Sequence, residues 1–102
     1  MAKKLELELI TETCPEQYWV KQETNTIGYI RLRWGHLTCD YLPNGELTDK
    51  DNIRAVDYTF PNDEYKGCFD TDKERTYWLN KCKNALYKQI HKEIWKTKKK
   101  KH

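Results

Sequence analysis

Hydrophobic and polar residues alternate along the first half of the chain, which is the pattern of half-buried β-strands. Residues 5–9 are Leu-Glu-Leu-Glu-Leu, which predicts a first strand. The alternation breaks at residues 11–15 and returns over residues 17–23, which predicts a second strand. In that second strand Tyr18 and Val20 share one face and Trp19 lies on the other.

The clearest strand pattern covers residues 27–34 and divides into two faces. One face carries Gly28, Ile30, Leu32 and Trp34, and the other carries Ile27, Tyr29, Arg31 and Arg33. Gly35-His36 permits a tight reversal into a fourth alternating run at residues 37–41. Residues 53–60 alternate as well and are compatible with a fifth strand. The pattern therefore predicts an antiparallel meander of four to five strands.

Hydrophobic periodicity changes to that of a helix after residue 71. Thr71 and Glu74 have the spacing of a capping box, with Thr71 as the N-cap. Up to Lys96 no Pro or Gly interrupts the run, and one stripe of the helix carries Leu79, Cys82, Leu86, Ile90 and Ile94. The predicted fold class is α+β, with the meander packed against one long C-terminal helix. We expect one domain over residues 1–97, followed by a disordered basic tail at residues 98–102.

Composition supports one small domain with an aromatic core. The chain has 102 residues, of which 37 % are hydrophobic and 13 % aromatic, so large flat side chains must fill much of the interior. The net charge is +3, and five of the basic residues are terminal lysines at 96 and 98–101. Removing these five from the 19 basic residues leaves 14 against 16 acidic ones. A polyanion partner is therefore suggested by local charge more than by net charge.

No segment of the sequence resembles a leader peptide or a membrane span. Charged residues at Met1–Lys4 are not followed by a long apolar region, and no run approaches the roughly 20 apolar residues that cross a bilayer. We therefore expect an intracellular, cytoplasmic protein without membrane association. In that compartment the four cysteines, Cys14, Cys39, Cys68 and Cys82, are expected to be reduced thiols.

Candidate catalytic and metal-binding residues are few and poorly spaced. The chain has no close Cys-x2-Cys pair, and His36 and Cys39 fall on opposite faces of a strand. Cys68 precedes the helix, where a thiol pKa falls, but no catalytic signature surrounds it. No phosphate-binding glycine motif is present. We therefore expect no cofactor, no metal, no small-molecule substrate and no enzymatic activity; the alternative is a small enzyme that uses Cys68 or His36.

The outward face of the third strand is the first candidate binding surface. If Ile30, Leu32 and Trp34 pack on the helix, an aromatic residue and two arginines point outward: Tyr29, Arg31 and Arg33. Such a row can stack bases and neutralise phosphates. The alternative is that Glu6 and Glu8 of the first strand pair with these arginines in an ordinary surface network.

The outer face of the helix is the second candidate surface. Lys81, Lys88 and Lys92 lie opposite the core stripe, with Trp95 near their edge. We therefore predict a non-catalytic accessory domain that binds nucleic acid through a basic and aromatic surface. The alternative is a protein–protein interaction module or a homodimer.

A resemblance points in the same direction. Residues 28–41 read G-Y-I-R-L-R-W-G-H-L-T-C-D-Y, and residues 65–70 read Y-K-G-C-F-D, followed by Glu74-Arg75. This arrangement resembles small uncharacterised proteins of bacteriophages and prophages, in which a G-Y-x-R-L-R-x-G hairpin precedes a G-x-F-D segment and a closing helix. The resemblance spans residues from about 10 to 90 and implies a phage or mobile-element accessory protein. It implies no activity and no catalytic residue.

Overall fold

Five strands are followed by one long helix, in the order that the sequence predicts. The computed structural model describes residues 4–47 and 51–99, with side chains as far as Ile94. The elements are β1 (Leu5–Leu9), β2 (Glu16–Gln22), β3 (Asn25–Arg33), β4 (His36–Tyr41), β5 (Ile53–Thr59) and α1 (Asp72–Lys99). Each strand pairs antiparallel with the next, so the sheet order is β1-β2-β3-β4-β5. The predicted α+β class and meander topology are confirmed.

One face of the sheet is covered by α1, and the hydrophobic core lies between them. Leu5, Val20, Ile30 and Leu37 of the sheet are fully buried, as is Leu86 of the helix. A side chain of the helix packs directly against a glycine of β3. A Cβ atom on Gly28 would lie 2.8 Å from Leu86 Cδ1. The absence of a side chain at Gly28 is therefore what lets the two layers approach.

The start of α1 follows the predicted capping box. Thr71 Oγ1 accepts a hydrogen bond of 3.0 Å from the backbone N–H of Glu74, and Glu74 Oε1 accepts one of 2.8 Å from the N–H of Asp70. Of the predicted core stripe, Ile94 is 49 % exposed. A helix of 28 residues is about 42 Å long at 1.5 Å per residue, so its final turns extend past the core. The side chain of Trp95 and most of the predicted tail lie outside the described residues, although the backbone of α1 continues to Lys99.

The reversal between β3 and β4 differs from the prediction by one residue. Arg33 pairs with His36, so the turn consists of Trp34 and Gly35. Both have a left-handed backbone, with φ of 53° and 71°, which is the conformation of a type I′ hairpin turn. Trp34 therefore leaves the core-facing row and is exposed. The expectation that it packs on the helix is wrong, because strand alternation ends at Arg33.

Two of the four cysteines form a disulfide, which corrects the expectation of four reduced thiols. Cys14 and Cys68 are bonded, with Cα atoms 5.5 Å apart, inside the ordinary range for such a link. Cys39 and Cys82 are free and buried. The N-terminal sequence, from which reduced cysteines were expected, does not show that residues 14 and 68 become neighbours on folding. Cytoplasmic localisation remains a prediction.

A buried carboxylate attaches the start of α1 to the sheet. Glu16 of β2 is 6 % exposed. It accepts hydrogen bonds from the Tyr18 hydroxyl at 2.6 Å, the Phe69 N–H at 3.0 Å and the Arg75 guanidinium at 2.8 Å. Burial alone would raise the pKa of Glu16, but the bonds from Arg75, Tyr18 and Phe69 outweigh it and lower that pKa.

None of the helical sequence that the structure describes is apolar over enough length to span a bilayer.

Candidate functional site

The outward face of β3 carries the residues that the sequence singled out, but they are not equally accessible. Tyr29 is only 8 % exposed. Its ring packs on Trp19 with centroids 5.1 Å apart, and its hydroxyl donates to Gln17 Oε1. Burial raises the pKa of Tyr29. Tyr29 therefore points outward as predicted, but its neighbours cover the ring and leave no open face for a base.

Arg31 and Arg33 are exposed and face outward, as expected. The residues beside Arg31 on the adjacent strands are Gln17 and Thr38, neither of them acidic. The alternative in which glutamates of β1 neutralise these arginines does not occur in the described residues, because β2 lies between. Glu8 instead pairs with Lys21 at 3.0 Å. In the residues that the structure describes, neither guanidinium group is paired with a carboxylate, although Arg31 also contacts the Tyr29 hydroxyl.

Two exposed aromatic residues lie beside Arg33 at the end of the hairpin. Trp34 is 62 % exposed and Tyr65 is 74 % exposed. Their ring centroids are 6.2 Å apart at an interplanar angle of 68°, and the Arg33 guanidinium lies 5.8 Å from the Trp34 ring centroid. These side chains line a cleft of about 450 Å³ whose other wall contains the disulfide residue Cys14. We refer to Arg31, Arg33, Trp34 and Tyr65 as the hairpin patch.

The loop that carries Tyr65 is anchored to the hairpin turn by the backbone. The N–H of Gly35 donates to the Lys66 carbonyl at 2.9 Å, and the Gly35 carbonyl accepts from the Phe60 N–H at 2.8 Å. A Cβ atom on Gly35 would lie 2.5 Å from the Asp63 carbonyl, so only glycine permits this approach at a left-handed φ. Tyr65 is thereby held next to Trp34.

A buried ammonium group gives the same loop a second anchor. Lys66 Nζ lies 3.0 Å from a carboxylate oxygen of Asp70 and 3.1 Å from one of Glu74, at the start of α1. Burial alone would lower the pKa of Lys66, but the hydrogen bonds that its ammonium donates to Asp70 and Glu74 outweigh it and raise that pKa. Together with the Cys14–Cys68 disulfide, these contacts fix the C-terminal end of the loop.

The backbone at Trp34 is unusual for a residue of its size. Type I′ turns are dominated by Asn, Asp and Gly, because the left-handed conformation disfavours bulky side chains. For an L-residue that conformation costs about 1–2 kcal/mol. Strained backbone that places a side chain at the surface is typical of binding and catalytic sites. The strained backbone at Trp34 therefore makes its exposed ring a candidate binding group.

The helix lysines form a separate surface. Lys81, Lys88 and Lys92 border an open groove of about 710 Å³ between α1 and β5. They lie on the flank of the helix next to β5, whereas the sequence placed them opposite the core. Helical periodicity gives the angular distance of these lysines from the core stripe, but it does not show which strand lies beside that flank of the helix. Trp95, predicted at their edge, has its side chain outside the described residues.

The residues considered for catalysis are occupied otherwise. Cys68 is bonded to Cys14 and is not a free thiol. His36 Nε2 lies 2.8 Å from Thr59 Oγ1 and 3.6 Å from an Asp57 carboxylate oxygen. In residues 4–47 and 51–99 no group of three or more His, Cys, Asp or Glu side chains is placed to hold a metal ion.

Sequence reasoning missed Trp34 and Tyr65, the two aromatic members of the hairpin patch. Strand alternation places Trp34 on the core face, and no hydrophobic pattern singles out Tyr65. A Trp-Gly pair between two alternating runs was the available signal for a turn at Trp34. Comparisons with protein-family models, with curated proteins and with solved structures found no match for this chain. The function is therefore inferred from the geometry of the site.

Proposed function

We propose that the protein binds single-stranded nucleic acid through the hairpin patch, as a non-catalytic accessory protein of the cytoplasm. The observation that carries the proposal is Trp34, a large aromatic residue held exposed at a strained turn position beside Tyr65 and Arg33. Stacking on exposed aromatic side chains combined with cationic groups is how proteins hold single strands. A phage or mobile-element origin, which the sequence resemblance implies, belongs to the same proposal.

A single strand fits this patch better than a duplex does. Exposed rings bind bases that are free to leave their own stack, whereas duplex bases are already stacked on each other. The two arginines lie two residues apart on one face of β3, which places their Cα atoms about 7 Å apart. Arg33 therefore lies against the Trp34 ring, and Arg31 continues the basic row along β3, where the sugar-phosphate backbone of a stacked strand would pass.

The test is fluorescence anisotropy of a labelled oligothymidine with the full chain. Tyr65→Ala removes one ring of the patch, and stacking is worth about 1–3 kcal/mol per base, so we expect affinity to fall by about 5- to 150-fold. The matched control is Tyr77→Ala, because Tyr77 is also exposed, at 53 %, but lies on α1. The control should leave affinity unchanged.

A salt series separates the arginines from the rings. Arg31→Ala and Arg33→Ala should each weaken binding at low salt and reduce the slope of affinity against salt by about one. Undetectable binding of the wild-type chain at low salt would remove the proposal. Binding that disappeared on deletion of residues 98–102, with Tyr65→Ala unaffected, would assign it to the basic tail instead.

A further inference from the structure

The groove between α1 and β5 is distinct from the hairpin patch and has a different chemistry. We propose that it binds an acidic segment of a partner protein in extended conformation, which pairs with β5 as a sixth strand of the sheet. Strand addition of this kind takes affinity from the backbone of a sheet edge and specificity from the side chains beside it. Both parts are found in this groove.

The backbone part is the free edge of β5. In the described sheet β5 is the last strand, paired on one side with β4. The Phe60 N–H points toward β4, since it donates to the Gly35 carbonyl. Antiparallel pairing alternates along a strand, so the backbone N–H and C=O groups of Tyr58 and Val56 also point toward β4. The N–H and C=O groups of Asp57 and Thr59 therefore point away from the sheet, where an added strand pairs.

The charge of the groove favours an acidic occupant. Four basic residues, Arg54 and the three helix lysines, line the groove together with one acidic residue, Asp57. Arg54 is already bonded to Asp40 and lies 3.6 Å from Asp57. The three lysines form no salt bridge with any residue in the part of the chain that the structure describes. Their charges are therefore the ones that a partner's carboxylates would meet.

The spacing of two lysines matches that of an extended peptide. Lys88 and Lys92 are four residues apart on α1, a rise of about 6 Å. Side chains on one face of a strand repeat about every 7 Å. Carboxylates at alternate positions of an added strand therefore reach successive lysines.

The aromatic end of the groove favours a peptide over a nucleic acid. Tyr58 and Trp78 have ring centroids 4.5 Å apart, and Phe60 lies 5.4 Å from Trp78. These rings cover one another, so the cluster offers an apolar floor for an aliphatic side chain more than an open face for a base. The lysine at this end, Lys81, is itself 5.1 Å from the Tyr77 ring centroid.

The probe is a fluorescein-labelled nine-residue peptide with Glu at two alternate positions, to face Lys88 and Lys92, and Val at all the others, titrated with the full chain and followed by anisotropy. We expect saturable binding, a loss of at least about tenfold for Lys88→Glu, and no binding of the same peptide with Lys in place of Glu. N-methylation at alternate residues of the peptide should abolish binding, because it removes the N–H groups that pair with β5.

Two substitutions at one position test strand addition from the protein side. Asp57→Pro removes an outward N–H without removing a bond to β4 and should abolish binding. Asp57→Ala is its control and should bind the peptide as well as the wild type does, because it keeps the outward N–H. If Asp57→Pro fails to fold by circular dichroism, the N-methylated peptide makes the same test on the wild-type chain.

Three results would overturn the proposal. The first is binding that survives both N-methylation and Asp57→Pro, because the edge would then play no part. The second is displacement of the peptide by oligothymidine in the Trp34→Asn variant, which would assign the groove to nucleic acid. The third is a dimer in sedimentation without peptide that Asp57→Pro dissociates, which would make a second copy the occupant. Unchanged peptide binding by Trp34→Asn separates this inference from the function of the hairpin patch.

Discussion

Replacement of Glu16 by Gln tests how the helix is attached to the sheet. Glu16 is the acceptor for three donors: the Tyr18 hydroxyl, the Phe69 N–H and the Arg75 guanidinium. Glutamine keeps the shape of the side chain, but it removes the negative charge and turns one oxygen into an NH2 group. That NH2 group is a donor in a site already filled with donors.

The expected loss of unfolding free energy is about 2–4 kcal/mol. Leaving a buried donor without its acceptor costs about 1–3 kcal/mol, and breaking a buried ion pair costs about 3–5 kcal/mol. Arg75 is partly exposed and keeps its contact with Asp72, which lowers the total. Glu8→Gln is the control, because it breaks only the exposed pair with Lys21, worth about 0–1 kcal/mol.

The pH dependence gives the same substitution a second readout. Burial alone would raise the pKa of Glu16, but its hydrogen bonds lower it below the ordinary 4.5. A carboxyl group whose pKa is lowered by folding stabilises the fold at pH values above its ordinary pKa. That stabilisation is lost as the pH falls through the folded-state pKa. The difference between wild type and Glu16→Gln should therefore be largest near neutral pH and shrink below about 4.5.

Urea unfolding followed by tryptophan fluorescence, at pH values from 7 down to 3, measures both effects. Equal unfolding free energies for Glu16→Gln and Glu8→Gln would refute the idea that the buried carboxylate attaches the helix. A difference from wild type that grew as the pH fell would refute the sign of the pKa shift.

Two further predictions concern close packing and covalent linkage. Gly28→Ala should lower the free energy of unfolding in urea by about 1–3 kcal/mol, because the new methyl group meets Leu86. Gly67→Ala is the control, since its methyl group makes only ordinary contacts of 3.5 Å or more. Equal losses for the two variants would show that the helix does not approach the sheet at Gly28. The Cys14–Cys68 disulfide closes a loop with a sequence separation of 54, which the chain-entropy model values at about 4 kcal/mol. Reductant should therefore lower the melting temperature of the wild type but not of a Cys14→Ser/Cys68→Ser double variant, and identical wild-type melts with and without reductant would contradict the linkage.

The regular elements were predictable because their signals are local. Alternation assigned Tyr18 and Val20 to one face of β2, and both are buried as that pattern requires. The capping box located the start of α1, since its hydrogen bonds join residues three or four positions apart. Such patterns depend only on the period of the backbone and not on tertiary contacts.

The hairpin patch was not predictable because its parts meet only in the folded chain. Strand periodicity does not show where a strand stops, so Trp34 was counted with the core although its backbone is left-handed. Tyr65 reaches Trp34 through backbone bonds between Gly35 and a loop about 30 residues away. The disulfide between residues 14 and 68 is likewise a tertiary contact.

The central claim is that the exposed Trp34 ring binds a base, and one comparison tests it most directly. In Trp34→Asn, relief of about 1–2 kcal/mol of left-handed strain offsets the loss of the Arg33 and Tyr65 contacts, about 0.5–1 and 0.5–1.5 kcal/mol. Stability should therefore stay within about 1 kcal/mol of the wild type. Affinity for oligothymidine in high salt should fall by about 5- to 150-fold, whereas equal affinity of Trp34→Asn and the wild type would contradict the account.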